Sequence, residues 1–172
     1  MGIRVLIGAD EIAAALPPLA CRIEAAFTGE APVCTIVLLE GARPFARDLL
    51  RLLPGRFTAH PLKVSSYGNG RQSSGSLQWH DRPPEVKGRQ VLLLDDVLDS
   101  GLTLSTMSSA LLAAGAESVR SAVAVEKKGI ARTGGFRADF HLFRLGGGFL
   151  VGYGMDCAGR CRELPFIGLK EK

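Results

Sequence analysis

The stretch "VLLLDDVLDSGLTL", residues 91–104, constrains this chain more than any other. Four apolar residues run into Asp95 and Asp96, then Asp99, then a Ser-Gly-Leu-Thr turn. The apolar run has the length and branching of a strand buried on both faces, as in parallel sheets. Residues 102–114 follow with apolar side chains at helical spacing (Leu104, Met107, Leu111), and Gly115 stops them. A buried strand that turns directly into a helix is half of a β-α-β unit. The turn between them leaves the helix's first N–H groups without internal partners, and Gly101 lets the backbone approach a ligand closely. Ser100 and Thr103 add hydroxyl donors. A phosphate is the natural occupant. Ionised carboxylates only accept hydrogen bonds. Asp95 and Asp96 therefore suit a pair of sugar hydroxyls, or a Mg²⁺ ion held through water. Asp99, where the chain bends, suits proton transfer, a role worth roughly 10²- to 10⁴-fold in rate. Phosphate seat, ribose clamp and proton-handling acid together describe a 5-phosphoribosyl group.

The rest of the chain supports an α/β fold with a parallel sheet flanked by helices. Residues 34–40 ("CTIVLLE") read as a buried strand, with Gly41 as a turn. Asp10 is placed to cap a helix over residues 11–16, which Pro17-Pro18 interrupts or restarts toward Phe27. Pro44 starts a helix ending near Leu53. Residues 57–65 form a strand weakened by Pro61, and residues 65–76 ("SSYGNGRQSSGS") a polar, Gly-rich mobile loop. "SLQWH" is a short strand beyond it. Residues 118–126, 138–145 and 149–154 complete the strand set. With 172 residues, one domain over residues 1–172 is expected.

Composition excludes several classes. The formal charge is only +4 and the arginines are scattered, which argues against nucleic acid as partner. No apolar run reaches the roughly 18 residues of a membrane span, and the N-terminus does not read as a signal peptide. Cys21, Cys34, Cys157 and Cys161 form no C-x-x-C pair. They do not make a zinc set, and free thiols fit the cytoplasm.

The 91–104 stretch resembles the phosphoribosyl-diphosphate (PRPP) motif of type I phosphoribosyltransferases. "VSSYGNGRQSSG" and "RADFHLF...FLVGYGMD...GRCRELPFIG" resemble the catalytic loop and the purine-binding segment of the hypoxanthine-guanine branch. The resemblance covers roughly residues 35–168. It implies the type I fold, with a small hood made from the chain ends, and transfer of phosphoribose from PRPP to a 6-oxopurine. It implies Mg²⁺ as cofactor, PRPP and a purine base as partners, and a homo-oligomer. Asp95 and Asp96 would then hold the ribose hydroxyls, and Asp99 would face purine N7. Ser100, Gly101, Leu102 and Thr103 would hold the 5′-phosphate, and Gly41 and Arg162 the pyrophosphate. Lys127, or Lys128 in a shifted register, would donate to the 6-oxo group. Phe149 would stack on the base, the Leu150 backbone would meet its Watson–Crick edge, and Asp156 would bind the metal. Ser66 and Tyr67 would close over the reaction centre.

Three departures from the branch stand out. Glu40 occupies a position usually basic, Gly147-Gly148 precede Phe149, and Cys157 stands where an aromatic is common. Glu40 and the Gly-rich segment 146–148 keep a second reading open, a non-catalytic PRPP- or nucleotide-sensing regulator of the same fold. A third keeps the enzyme and changes the base.

Overall fold

The structure, a computed structural model, describes residues 2–66, 77–157 and 159–171. Nine strands are described: β1 (Ile3–Ile7), β2 (Val33–Leu39), β3 (Phe57–Ser66), β4 (Leu77–Trp79), β5 (Gln90–Leu98), β6 (Ser118–Lys127), β7 (Phe140–Leu145), β8 (Leu150–Val151) and β9 (Ile167–Lys170). Three α-helices join them: α1 (Ala9–Ala26), α2 (Arg43–Leu50) and α3 (Leu102–Ala113). The main sheet has the order β4-β3-β2-β5-β6-β7. All its pairings are parallel except the edge pair of β3 with β4.

The sequence explains this layering. Six of the seven residues of β2 are buried, so both of its faces must be covered. Val33 and Val37 face a core shared with α1 and α2, and the alternate residues Cys34, Ile36 and Leu38 face a core shared with α3. On α1 the buried residues Ile12, Leu16, Leu19, Ala20 and Ile23 make one helical stripe. Each of the leucines and isoleucines among them contributes about 1.5–3 kcal/mol on burial.

Several local expectations change. Asp10 lies inside α1, not at its cap. Gly8 takes that place, and its N–H donates to the Glu11 carboxylate at 2.8 Å. Pro17 and Pro18 lie within one continuous helix. Both are on the exposed face, as are Ala13 and Ala14, whose carbonyls lose their helical donors there and can turn to water. β5 runs to Leu98 rather than Leu94, which places Asp95 and Asp96 inside the strand. The expected 149–154 strand is only Leu150–Val151, and it leaves the main sheet.

That short strand joins a second sheet with the order β1-β9-β8, antiparallel throughout. This is the hood that the resemblance implies, built from the two ends of the chain. β1 and β9 were not evident as strands in the sequence. β1 shows no alternation of burial, and its partner is some 160 residues away, beyond any local signal.

Candidate active site

In the main sheet the chain steps outward from β2 to β3, then crosses back to β5 and continues to β6 and β7. The strand order therefore reverses between β2 and β5. In open α/β sheets the crevice outside the carboxyl ends of the strands at such a point is the ligand position. Glu40 and Gly41 follow β2 there, Asp95, Asp96 and Asp99 sit at the end of β5, and Lys127 closes β6.

The turn into α3 is the centre of this edge. Gly101 caps the helix at φ +79°, in the left-handed region where a side chain is strained. The first internal helix bond runs from Ser105 N to Gly101 O at 2.9 Å. N–H groups earlier in the turn have no helical acceptor. A cavity of about 70 Å³ lies here, lined by Asp95, Val97, Leu98, Asp99, Ser100, Gly101, Leu102, Thr103 and Leu104. Volume alone would point elsewhere. A hollow of about 680 Å³ lies between α1, α2 and residues 162–165, but it is largely aliphatic and holds none of the acids of β5.

Asp95 and Asp96 each accept one backbone N–H with Oδ1, from Asp96 at 2.9 Å and Val97 at 2.8 Å. Burial pushes the Asp95 carboxyl well above its ordinary value, and its like-charged neighbour Asp96 adds to this. Any side chain on Gly41 would collide with the Asp96 carboxylate. A side chain on Gly154 would collide with the Gly41 carbonyl in turn. Glycine at both positions lets the β2 loop, the β5 acids and the hood meet in direct contact.

Asp99 and Lys127 come from neighbouring strands and form an ion pair at 2.8 Å. The Asp99 side chain is 55% exposed and that of Lys127 only 14%. An acceptor and a donor thus sit side by side, already neutralising each other. Lys128, the alternative in register, is exposed and stays outside this pair.

The remaining expected residues lie on or near the hood. Phe149 is 55% exposed, so it is not a core aromatic, and Lys170 Nζ lies 5.4 Å from its ring centroid. Leu150 is buried and pairs with Leu169 across β8 and β9. Arg162 donates from Nη1 to Gly154 O at 2.9 Å, and its Nε is 3.6 Å from Asp156 Oδ1. That Asp156 oxygen is buried without a hydrogen bond. Glu40, the acid that broke the expected pattern, is paired with Arg43 at 3.1 Å. The backbone of Ser66 ends β3 on the same sheet edge, while Tyr67 and the expected loop over residues 67–76 lie outside the described residues.

Sequence reasoning missed Arg132 and Glu126, whose side chains lie behind the Asp99–Lys127 pair. It also missed Tyr153, whose hydroxyl donates to Asp48 on α2 at 3.1 Å and ties the hood to the sheet's helical cover. Burial and Asp48 together raise the Tyr153 phenol far above its ordinary value. Neither set lies in a recognisable pattern. The contacts join residues far apart in sequence.

Among the described residues, no group of three or more His, Cys, Asp or Glu side chains converges as a metal site, and no helix is long and apolar enough to cross a membrane. All four cysteines are free.

Comparison with known proteins agrees with this geometry. Residues 11–133 match the Phosphoribosyl transferase domain family. The chain is 35% identical over 170 residues to the hypoxanthine-guanine phosphoribosyltransferase of Aquifex aeolicus, covering 98% of this chain and 95% of that one. The Bacillus subtilis enzyme of the same name is 35% identical over 167 residues, with 96% and 92% covered. A longer relative, the bifunctional protein TilS/HprT of Listeria innocua, is 36% identical over 167 residues; the match covers 96% of this chain and 26% of the relative. A solved hypoxanthine-guanine phosphoribosyltransferase from Bacillus anthracis superposes with a TM-score of 0.90 at 29% identity, covering 99% of this chain and 100% of that one. The hypoxanthine phosphoribosyltransferase of Trypanosoma cruzi gives 0.90 at 28% identity, with 98% and 91% covered. Matched in sequence over most of its length and in fold throughout, the chain belongs to the phosphoribosyltransferase family, with its near full-length relatives on the hypoxanthine-guanine branch.

Proposed function

We propose that this protein transfers the 5-phosphoribosyl group of PRPP to hypoxanthine or guanine, giving IMP or GMP and pyrophosphate in purine salvage. The observation that carries this reading is the Asp99–Lys127 pair, 2.8 Å apart, set beside the turn at the mouth of α3. A 6-oxopurine carries N7 and its 6-oxygen on one edge. Such a base inserts into the pair and satisfies each member separately, Lys127 donating to the 6-oxygen while Asp99 handles the N7 proton. A 6-amino group offers Lys127 a donor instead of an acceptor, so adenine leaves the ammonium unpaired and is rejected.

The remaining roles are those that the family resemblance implies. Ser100, Gly101, Leu102 and Thr103 hold the 5′-phosphate, and Asp95 and Asp96 accept from the ribose hydroxyls. Gly41, with no side chain, leaves its own backbone N–H open to pyrophosphate, assisted by Arg162. Phe149 offers an exposed ring for stacking, and the Leu150 backbone faces the base edge. The catalytic role that the resemblance gives Ser66 and Tyr67 is the exclusion of water, which would otherwise hydrolyse PRPP.

Mg²⁺ suits the donor set. It commonly takes one or two carboxylates and completes its shell with water and substrate phosphates, so a converging protein cage is not required. Asp156 Oδ1 accepts no hydrogen bond and meets Arg162 only as an ion pair at 3.6 Å, which makes it a fitting ligand, with Asp95 and Asp96 acting through water. Bound there, the ion would offset charge on the departing pyrophosphate.

A single domain, a cytoplasmic location and a homo-oligomer complete the proposal. The Trypanosoma cruzi relative was studied for the role of its C-terminal region in oligomeric state, which favours the last point. One of the two features behind the regulator reading weakens, because Glu40 is paired with Arg43 at 3.1 Å.

The test is a panel of hypoxanthine, guanine, xanthine and adenine with PRPP and Mg²⁺, followed by ultraviolet spectra and product identity. Nucleotide should form from a 6-oxopurine and not from adenine. Asp99→Asn should bind PRPP and lose roughly 10²- to 10⁴-fold in kcat. No product from any 6-oxopurine would overturn the reading.

A further inference from the structure

The parallel ladder between β5 and β6 ends at the pair Leu98 and Glu126. Asp99 and Lys127 are the first residues beyond it. Carbonyls beyond that point have no β5–β6 donor and need other partners. Lys127 itself stays paired with Leu145 of β7, so what is left to set is its distance from the end of β5. Here one side chain takes over. Arg132 donates from Nη1 to Leu98 O at 3.1 Å and from Nη2 to Lys127 O. Its guanidinium therefore bridges the residue before Asp99 and Lys127 itself. The neighbouring residue adds a third tie, Thr133 N donating to Ser100 O at 2.8 Å.

The charge of Arg132 is also held in place. Its side chain and that of Glu126 are each only 12% exposed, with Nη2 and Oε1 at 3.7 Å. Glu126 is fixed in turn from β7, by His141 Nδ1 and by Arg144 Nε, each at 3.3 Å. A planar fork of donors, anchored by a buried carboxylate, reaches two carbonyls at a set separation. A lysine ammonium at the same place can serve one of them well but has no fork to span both.

We propose that Arg132, anchored by Glu126, is a positioning residue that fixes the separation of Asp99 and Lys127 by crosslinking the ends of β5 and β6. It touches neither base nor PRPP. This inference rests on the functional reading above for its kinetic consequence, but not for its structural one.

Two readouts test it on the purified full chain. In Arg132→Gln, kcat/KM for the 6-oxopurine should fall roughly 10- to 100-fold, since displacement of reacting groups by about 1 Å costs that much. KM for PRPP should stay within about 3-fold, because a uniform binding loss is not expected. Independently, the rate of Lys127 acetylation, read by peptide mass spectrometry, should rise. An ammonium held by a carboxylate must leave that contact before it can react, and a loosened pair releases it more often. Glu126→Gln should move both readouts in the same direction by less. If Arg132→Gln does not fold, Arg132→Lys decides the matter through the same two measurements. Unchanged Lys127 labelling, or equal losses for base and PRPP, overturns the proposal. A wild-type chain that turns over no 6-oxopurine would remove the functional reading alone, and the labelling rates would still decide the role of Arg132.

Discussion

Asp95 shows how a single side chain can work against the fold that carries it. An unfolded aspartate titrates near 3.9. In the folded protein, burial and Asp96 hold the Asp95 carboxyl well above this. A raised value means that the folded state binds the proton more tightly. The resulting stabilisation is complete in acid, below the unfolded value, and is lost as pH rises toward the folded one. At neutral pH an ionised Asp95 is therefore a cost. Asp95→Asn should melt above the wild type at pH 7, by roughly 2–4 °C for each kcal/mol relieved in a chain of this size. The gap should close as the pH approaches 4. Melting curves across that range check it, and a variant no more stable than wild type at pH 7 would refute the burial argument. The same substitution should weaken PRPP binding if Asp95 accepts a ribose hydroxyl. Stability and function would then move in opposite directions at one residue.

At the scale of elements, the β5–turn–α3 unit was the most legible part of the chain. Its signals are local: a buried run, acids at the strand end, a glycine that must take positive φ, then helical spacing. Gly101 shows why this turn tolerates little change. A Cβ there would meet Phe136 Cδ1 at 3.2 Å and Leu98 Cδ1 at 3.3 Å, on a backbone at φ +79°. Gly101→Ala should cost about 1–2 kcal/mol from backbone handedness alone. The prediction is a lower Tm together with a raised KM for PRPP, measured by thermal melt and initial rates. Wild-type values of both would mean that the turn is not held as described. Less legible were the ends of elements. Pro17-Pro18 read as a break, yet both face solvent, where two lost helical bonds are tolerated. β5 extends past its apolar run because its neighbour β6 continues to pair with it, a tertiary fact that no local pattern carries.

For the molecule as a whole, legibility followed sequence distance. The main sheet could be read from alternating strands and helices. Lys127 could be placed near Asp99 only through the family resemblance. Arg132, which bridges Leu98 and Lys127, and Tyr153, which reaches α2, could not be read at all. Their partners are set by the fold, and an arginine or tyrosine in a loop looks like any other. The hood was the least legible piece. Its strands are short, and the register of β1 on β9 pairs residues that lie at opposite ends of the sequence.

That closure has an engineering consequence. Glu171 N donates to Gly2 O at 3.0 Å, so residues 2 and 171 lie within one hydrogen bond of each other. A short Gly-Ser bridge can splice them, and the backbone can be nicked instead at the exposed, positive-φ bend around Gly29. The rearranged chain should refold with its far-ultraviolet dichroism unchanged. Clipping the first seven residues should instead strip β9 of a partner strand and loosen Phe149 with it.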